Sequence, residues 1–173
     1  MKKASIRKMV VGAVIAALYT GVTYLMAFFN LAYGPVQVRL SEALTILPIF
    51  TSAAVPGLTI GCFLANIMSF NPIDMIFGTA ATLLAAMLTR KFRNIKFKGI
   101  PFLSLLQPIL INAIIVGVEC AVILGDGGTF MAQFLLNAVF VALGQTVAVF
   151  GVGLPLYYTI NKIPALHRFF NFE

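Results

Sequence analysis

The chain has 173 residues, of which 61% are apolar and only 10% charged, and its mean hydropathy is +1.01. Soluble domains carry about 25% charged residues, so this composition excludes a soluble globular enzyme, a nucleic-acid module and a disordered tail. The net charge of +7 comes from basic residues clustered beside apolar runs, the pattern of bilayer anchoring and orientation.

The start, Met1 to Lys8, is basic and leads into an apolar run, as a signal peptide would. That run continues over residues 9–29 without a compelling small-residue cleavage site, and it reads as a retained span. A bilayer core takes about 20 residues of helix. Asn30 to Arg39, with Gly34-Pro35, is a loop or broken segment. Residues 40–52 and 56–70 are two shorter apolar stretches around Val55-Pro56-Gly57, expected as a hairpin of short helices inside the bundle. After the turn at Asn71-Pro72, residues 73–89 form a fourth helix, and 90–99 a strongly basic loop. Residues 101–124 form a fifth helix containing Pro101 and Pro108. The glycine-rich stretch Gly125-Asp126-Gly127-Gly128 is a tight turn. Residues 129–160 form a sixth, long helix, interrupted or kinked near Pro155. The expectation is an all-α integral membrane protein of six transmembrane helices, with residues 1–173 as one transmembrane domain. A four-span arrangement competes and fits the lengths less well.

Charge tests that topology. With six spans and a cytoplasmic amino terminus, eleven of the twelve Lys and Arg fall on the inner side, and Arg39 alone falls outside. Glu42, Asp74, Glu119 and Asp126 fall at or near the outer ends of their helices, and Glu173 on the inside. A charge within the membrane costs at least ~2.5–3.5 kcal/mol on insertion scales unless paired or hydrated. Their gathering points to a polar cavity open to the outside; interfacial charges at helix ends remain the other reading.

Catalytic signals are missing. The single histidine, His167, lies in the basic tail, and no nucleophile elbow, HExxH helix, P-loop or GxGxxG occurs. Cys62 and Cys120 read as small buried hydrophobes, with no disulfide framework or metal site implied. Transport or binding fits better than an enzyme, and no cofactor is implied.

Two sets of residues carry the functional expectation. Ala13, Ala17 and Gly21 recur every four residues of the first helix, with Gly12 and Ala16 widening the strip. Small residues let helices approach closely in lipid, either within this chain or against a separate membrane protein. The second set is polar. Asn112 and Glu119 are two turns apart on one helix face, and Gln133 and Asn137 one turn apart on another. With Asn66 they are candidates to converge on one outer cavity. Tyr33, Phe70, Phe77, Phe130 and Phe134 fall in the same layer, and rings beside carboxylates and amides suit a planar heterocycle with several N–H donors.

The stretch Tyr33-Gly-Pro-Val-Gln-Val-Arg39-Leu-Ser-Glu42, continuing to Pro48, with Val55 to Asn66 and Asp74 to Ala85, resembles the QueT family. These are queuosine-precursor transporters, substrate-binding S components of energy-coupling factor (ECF) transporters. The resemblance implies a six-helix bacterial plasma-membrane protein with both termini cytoplasmic and no catalysis of its own. It implies a small-molecule substrate, queuine or a 7-deazaguanine precursor, and three partner subunits: a transmembrane coupling protein and two ATP-binding subunits. It places the coupling interface on Ala13, Ala17 and Gly21. It places substrate near Tyr33, Arg39, Asp74, Glu119, Gln133 and Asn137. The ligand's chemistry suits these residues: Glu119 to accept the guanine-edge N–H groups, and Asn137, Gln133 or Arg39 to donate to its carbonyl. Asp74 or Glu42 would meet a cationic aminomethyl group, with an Arg39–Glu42 pair as the structural alternative.

Overall fold

A computed structural model describes residues 2–29, 39–67, 71–123 and 129–170, and among these it is all-helical. The chain runs through α1 (Lys2–Phe28), a 3₁₀ helix (Leu40–Ile49), α2 (Ala54–Asn66), α3 (Pro72–Lys91), α4 (Phe102–Ile123) and α5 (Phe130–Thr146). A π-helical stretch (Val147–Gly153) joins α5 to α6 (Leu154–Lys162), and α7 (Pro164–Phe170) closes the chain.

Four helical stretches are long and apolar enough to cross a membrane: Ser5–Phe28, Pro72–Lys91, Phe102–Ile123 and Phe130–Lys162. Their outer faces carry exposed Leu18, Ile76, Ile114 and Leu135, among others. Such faces are unfavourable in water and natural against acyl chains. The protein is therefore a multi-pass membrane protein.

The two short apolar stretches form a hairpin. A ten-residue 3₁₀ helix rises about 20 Å, and the thirteen residues of α2 rise about the same. Arg39, before the 3₁₀ helix, bonds Asn66 at the end of α2, while Phe50 at the bend lies beside Arg93 of the basic loop. The hairpin thus runs from one end of the bundle to the other and back. The 3₁₀ helix is the central post: it packs on α1, α2, α3, α4, α6 and the π stretch. Runs of 3₁₀ helix this long are uncommon because their hydrogen bonds are poorly aligned. Here neighbours add bonds of their own. Thr23 on α1 donates to Ser41 Oγ at 2.7 Å, and Arg90 on α3 donates to the Pro48 carbonyl at 3.2 Å.

The small-residue strip of α1 divides. Gly12 and Ala16 face α2, where a Cβ on Gly57 would lie 2.6 Å from the Gly12 carbonyl and one on Gly61 2.9 Å from that of Ala16. Only glycine permits this approach of two backbones. Ala13, Ala17 and Gly21 are instead exposed. Packing within the chain therefore accounts for Gly12 and Ala16, and it leaves Ala13, Ala17 and Gly21 uncovered.

The expected interruption near Pro155 is the π stretch. Proline has no N–H to offer the preceding turn, and the helix widens over Val147–Gly153, just before Pro155. The core is built from Val11, Ile15, Tyr19, Ile46, Leu47, Leu58, Leu105, Val149 and Ile160. One end of the bundle is basic: the Arg7 side chain donates to the Arg168 carbonyl, and the Arg90–Lys98 segment lies beside α6 and α7. The other end holds Arg39, Asn66 and Asp74.

Candidate functional site

Asn71 begins the site by ending a turn. Its Oδ1 accepts from Ile73 N at 3.0 Å, and Pro72 takes the first helical position of α3, so Asp74 stands in the first turn of that helix. The Asp74 carboxylate receives Arg39 Nη2 at 3.2 Å. Asn66 locks the pair from the end of α2: its Oδ1 accepts from Arg39 Nη1 at 3.2 Å, and its Nδ2 donates to the Asp74 carbonyl at 3.0 Å. All three are buried. One charged, hydrogen-bonded knot thus ties together the start of the 3₁₀ helix, the end of α2 and the first turn of α3.

One turn deeper, Glu42 on the 3₁₀ helix is 2% exposed. The Tyr19 hydroxyl donates to its Oε1, and Asn112 Nδ2 approaches its Oε2 at 3.4 Å. Asn112 also donates to the Pro108 carbonyl at 2.9 Å, which fixes its rotamer below the proline of α4. A carboxylate so far from water requires such donors.

Between these groups and α5 lies a cavity of about 10 Å³, lined by Arg39, Glu42, Asn112, Val116, Val141 and Gln145. That is room for about one water. Gln145 Oε1 is buried with no hydrogen-bond partner, and so is Oε2 of Glu119, which stands on the same face of α4 as Asn112 and Val116. Buried acceptors left unpaired cost roughly 1–3 kcal/mol each. Gln145 Oε1, in the cavity with Glu42, and Glu119 Oε2, further along the same face of α4, are each able to accept an N–H donor.

Among the sequence candidates, Arg39, Asn66 and Asp74 come together, as do Glu42 and Asn112. Glu119 shares their layer, within electrostatic range of Asp74 and Arg39. Arg39 takes Asp74 as its carboxylate partner, and Glu42 is engaged by Tyr19 and Asn112. Gln133 and Asn137 are half-buried on α5, where Asn137 Nδ2 donates to the Gln133 carbonyl at 2.9 Å. No described contact joins them to the cluster. Tyr33, Phe70 and Asp126 lie outside the described residues.

Tyr19 and the placement of Gln145 escaped sequence reasoning. A signal for Tyr19 existed: Val11, Ile15, Tyr19 and Thr23 recur every four residues and form the buried face of α1. A phenol on such a face needs a buried acceptor. Gln145 carried no comparable signal, because its position depends on how α5 passes into the π stretch.

Fold and site together define a multi-pass membrane protein with a buried polar cluster at one end. The QueT transporter family matches residues 9–162, and the chain belongs to that family. It is also similar to the Queuosine precursor transporter QueT of Lactococcus lactis subsp. cremoris (strain MG1363), with 37% identity over 83 residues. That match covers 48% of this chain and 49% of the relative, so the chain spans about half the length of the curated relative it matches. No solved structure matches the chain.

Proposed function

We propose that this protein is the substrate-capture subunit of an ATP-driven ECF-type importer, taking queuine or a related 7-deazaguanine at the Arg39–Glu42–Glu119 end. The reading is carried by two buried, unpaired acceptors: Gln145 Oε1, in the cavity with Glu42 and Asn112, and Glu119 Oε2, on the same helix as Asn112. A deazaguanine edge offers a ring N–H and an exocyclic amine, and one carboxylate accepts both. The named relative transports a queuosine precursor, and the shared family supports the same substrate class here. In this reading Glu119 accepts the guanine edge, Asn112 and Gln145 line the ring, and Val116 and Val141 sandwich it. Gln133 and Asn137 stand nearer the entrance on α5.

The cavity is too small for a bicyclic ring, so capture entails parting of α4 and α5 along Val116 and Val141. The hairpin of 3₁₀ helix and α2 completes six crossings, with both termini and the basic end in the cytoplasm of a bacterial cell.

The power source lies in partners. Ala13 and Ala17 line an apolar groove of about 510 Å³ with Met9, Pro56, Ile60 and Leu64, between α1 and α2. Small residues facing lipid suit a close helix–helix contact, here with the coupling protein that carries two ATP-binding subunits.

The deciding experiment is a thermal-shift screen of the purified protein against 7-deazaguanines, guanine and common vitamins, followed by uptake into liposomes. Stabilisation grows with ligand concentration over Kd, so a deazaguanine that raises Tm, with no accumulation until the partner subunits and ATP are added, is the expected pair of results. Accumulation by this chain alone overturns the importer reading, and a shift only with an unrelated vitamin overturns the substrate.

A further inference from the structure

The substrate reading leaves a second polar cavity unused. It lies at the opposite, basic end of the bundle and measures about 250 Å³. Its walls come from four separate parts of the chain: Ile49 and Phe50 at the end of the 3₁₀ helix, Arg93, Asn94 and Lys96 from the short connection between α3 and α4, Tyr157 and Asn161 from α6, and His167 from α7. The Tyr157 ring forms the floor, packed at 5.4 Å from that of Phe50. Tyr157 is buried, and the cationic side chains stand around the rim.

Charge makes this cavity selective. Among the described residues, no Asp or Glu lines it. The described carboxylates, Glu42, Asp74 and Glu119, all belong to the other site. Arg93 and Lys96 therefore face a concavity that, among the described residues, supplies amide and phenol groups but no counter-charge. A phosphate group satisfies this set: guanidinium and ammonium donate to its oxygens, and amide N–H groups complete the shell.

The surroundings indicate where the phosphate resides. The connection between α3 and α4 spans only Phe92 to Pro101, so it stays at the membrane surface. Phe97 and Ile100 close it as a small hairpin through paired backbone bonds of 2.8 and 3.0 Å. Along it, exposed Ile95 and Phe97 alternate with Lys96 and Lys98, and Phe97 is 71% exposed. An apolar fringe around a cationic cavity matches a phospholipid, with headgroup inside and acyl chains alongside.

We propose that the cavity between the α3–α4 connection, α6 and α7 is a phosphate-binding site, occupied by the headgroup of an anionic phospholipid of the adjacent leaflet. The site is independent of the substrate reading, since it shares no residue with the Arg39–Glu42–Glu119 cluster.

Native mass spectrometry of the purified protein, titrated with phosphatidylglycerol or phosphatidylcholine, tests it. Phosphatidylglycerol should bind at least about tenfold more tightly, and the double variant Arg93→Ala/Lys96→Ala should lose that preference. Lys98→Gln, on the same hairpin but off the cavity wall, should keep it. All three positions lie in a surface connection, and unchanged Tm confirms folding. A second arm adds inorganic phosphate to protein in phosphatidylcholine nanodiscs. Competition by phosphate for bound phosphatidylglycerol supports the shared chemistry, and binding of phosphate without any lipid preference moves the occupant to a soluble phosphate. Equal affinity for the two lipids with no phosphate binding, or equal loss in the Lys98→Gln and double variants, overturns the proposal.

Discussion

The Tyr19 hydroxyl, on the first helix, donates to the carboxylate of Glu42, twenty-three residues later on the central 3₁₀ helix. This bond couples the helix that carries the exposed small-residue groove to the helix that carries the polar site. Tyr19→Phe removes the donor and keeps the ring. Loss of a bond to a buried charged acceptor should lower stability by about 1–3 kcal/mol, read as a drop in Tm in detergent. In a Glu42→Gln background the same change should cost less, because a neutral amide accepts a weaker bond. Equal losses in both backgrounds would show that Tyr19 contributes packing alone.

Arg39 and Asp74 differ from this pair in being a full ion pair. Asp74→Asn leaves the buried guanidinium without its carboxylate and should cost about 3–5 kcal/mol. A double change, Arg39→Met/Asp74→Leu, removes both charges and should recover most of the stability while abolishing ligand binding. If the double variant is as unstable as the two single changes combined, the knot with Asn66 is held by shape and not by charge.

Glu119 should show the opposite balance. Its Oε2 is buried without a partner, so Glu119→Gln should leave Tm unchanged or raise it, while weakening substrate binding at least tenfold, about 1.4 kcal/mol. Parallel isothermal titration and melting measurements decide this. A large fall in Tm with intact binding would assign Glu119 a structural role.

Val116 and Val141 control room in the cavity. Val141→Trp should block binding through bulk, with a stability loss of no more than about 1–3 kcal/mol from overpacking. Val141→Ala should retain binding. Unchanged affinity in the tryptophan variant would place the ligand elsewhere.

The two faces of α1 separate folding from assembly. Ala17→Trp, on the exposed groove, should prevent capture by the coupling protein in a pull-down and leave substrate affinity intact. Gly57→Val, at the buried crossing with α2, should instead prevent stable folding, because its Cβ meets the Gly12 carbonyl at 2.6 Å. Loss of folding in both variants would make the whole strip internal.

Much of the architecture is legible in a linear reading. Hydropathy and the placement of charge are properties of position along the chain, so the four long spans, the Pro155 interruption and the basic end all follow from composition windows and proline chemistry. Asp74, Asn66 and Arg39 are each legible as polar residues near helix ends in one layer, but their mutual pairing is not, because spacing along the chain puts Arg39 nearer to Glu42 than to Asp74. Asn112 and Glu119 are legible through their two-turn spacing.

Other features were decided only in three dimensions. The stretch Leu40–Ile49, largely apolar but for Ser41, Glu42 and Thr45, is too short for its hydropathy pattern to show that it winds as a 3₁₀ helix and stands at the centre. That winding aims Glu42 at Tyr19 and Asn112 while Arg39 turns to Asp74. Likewise the spacing of Gly12, Ala13, Ala16 and Ala17 says that small residues share one side of α1, but the angle at which α2 crosses determines which are covered and which are left to a partner. Spacing along one helix sets who can share a face; the rotation of each helix against its neighbours, settled by packing of the whole bundle, sets what that face meets.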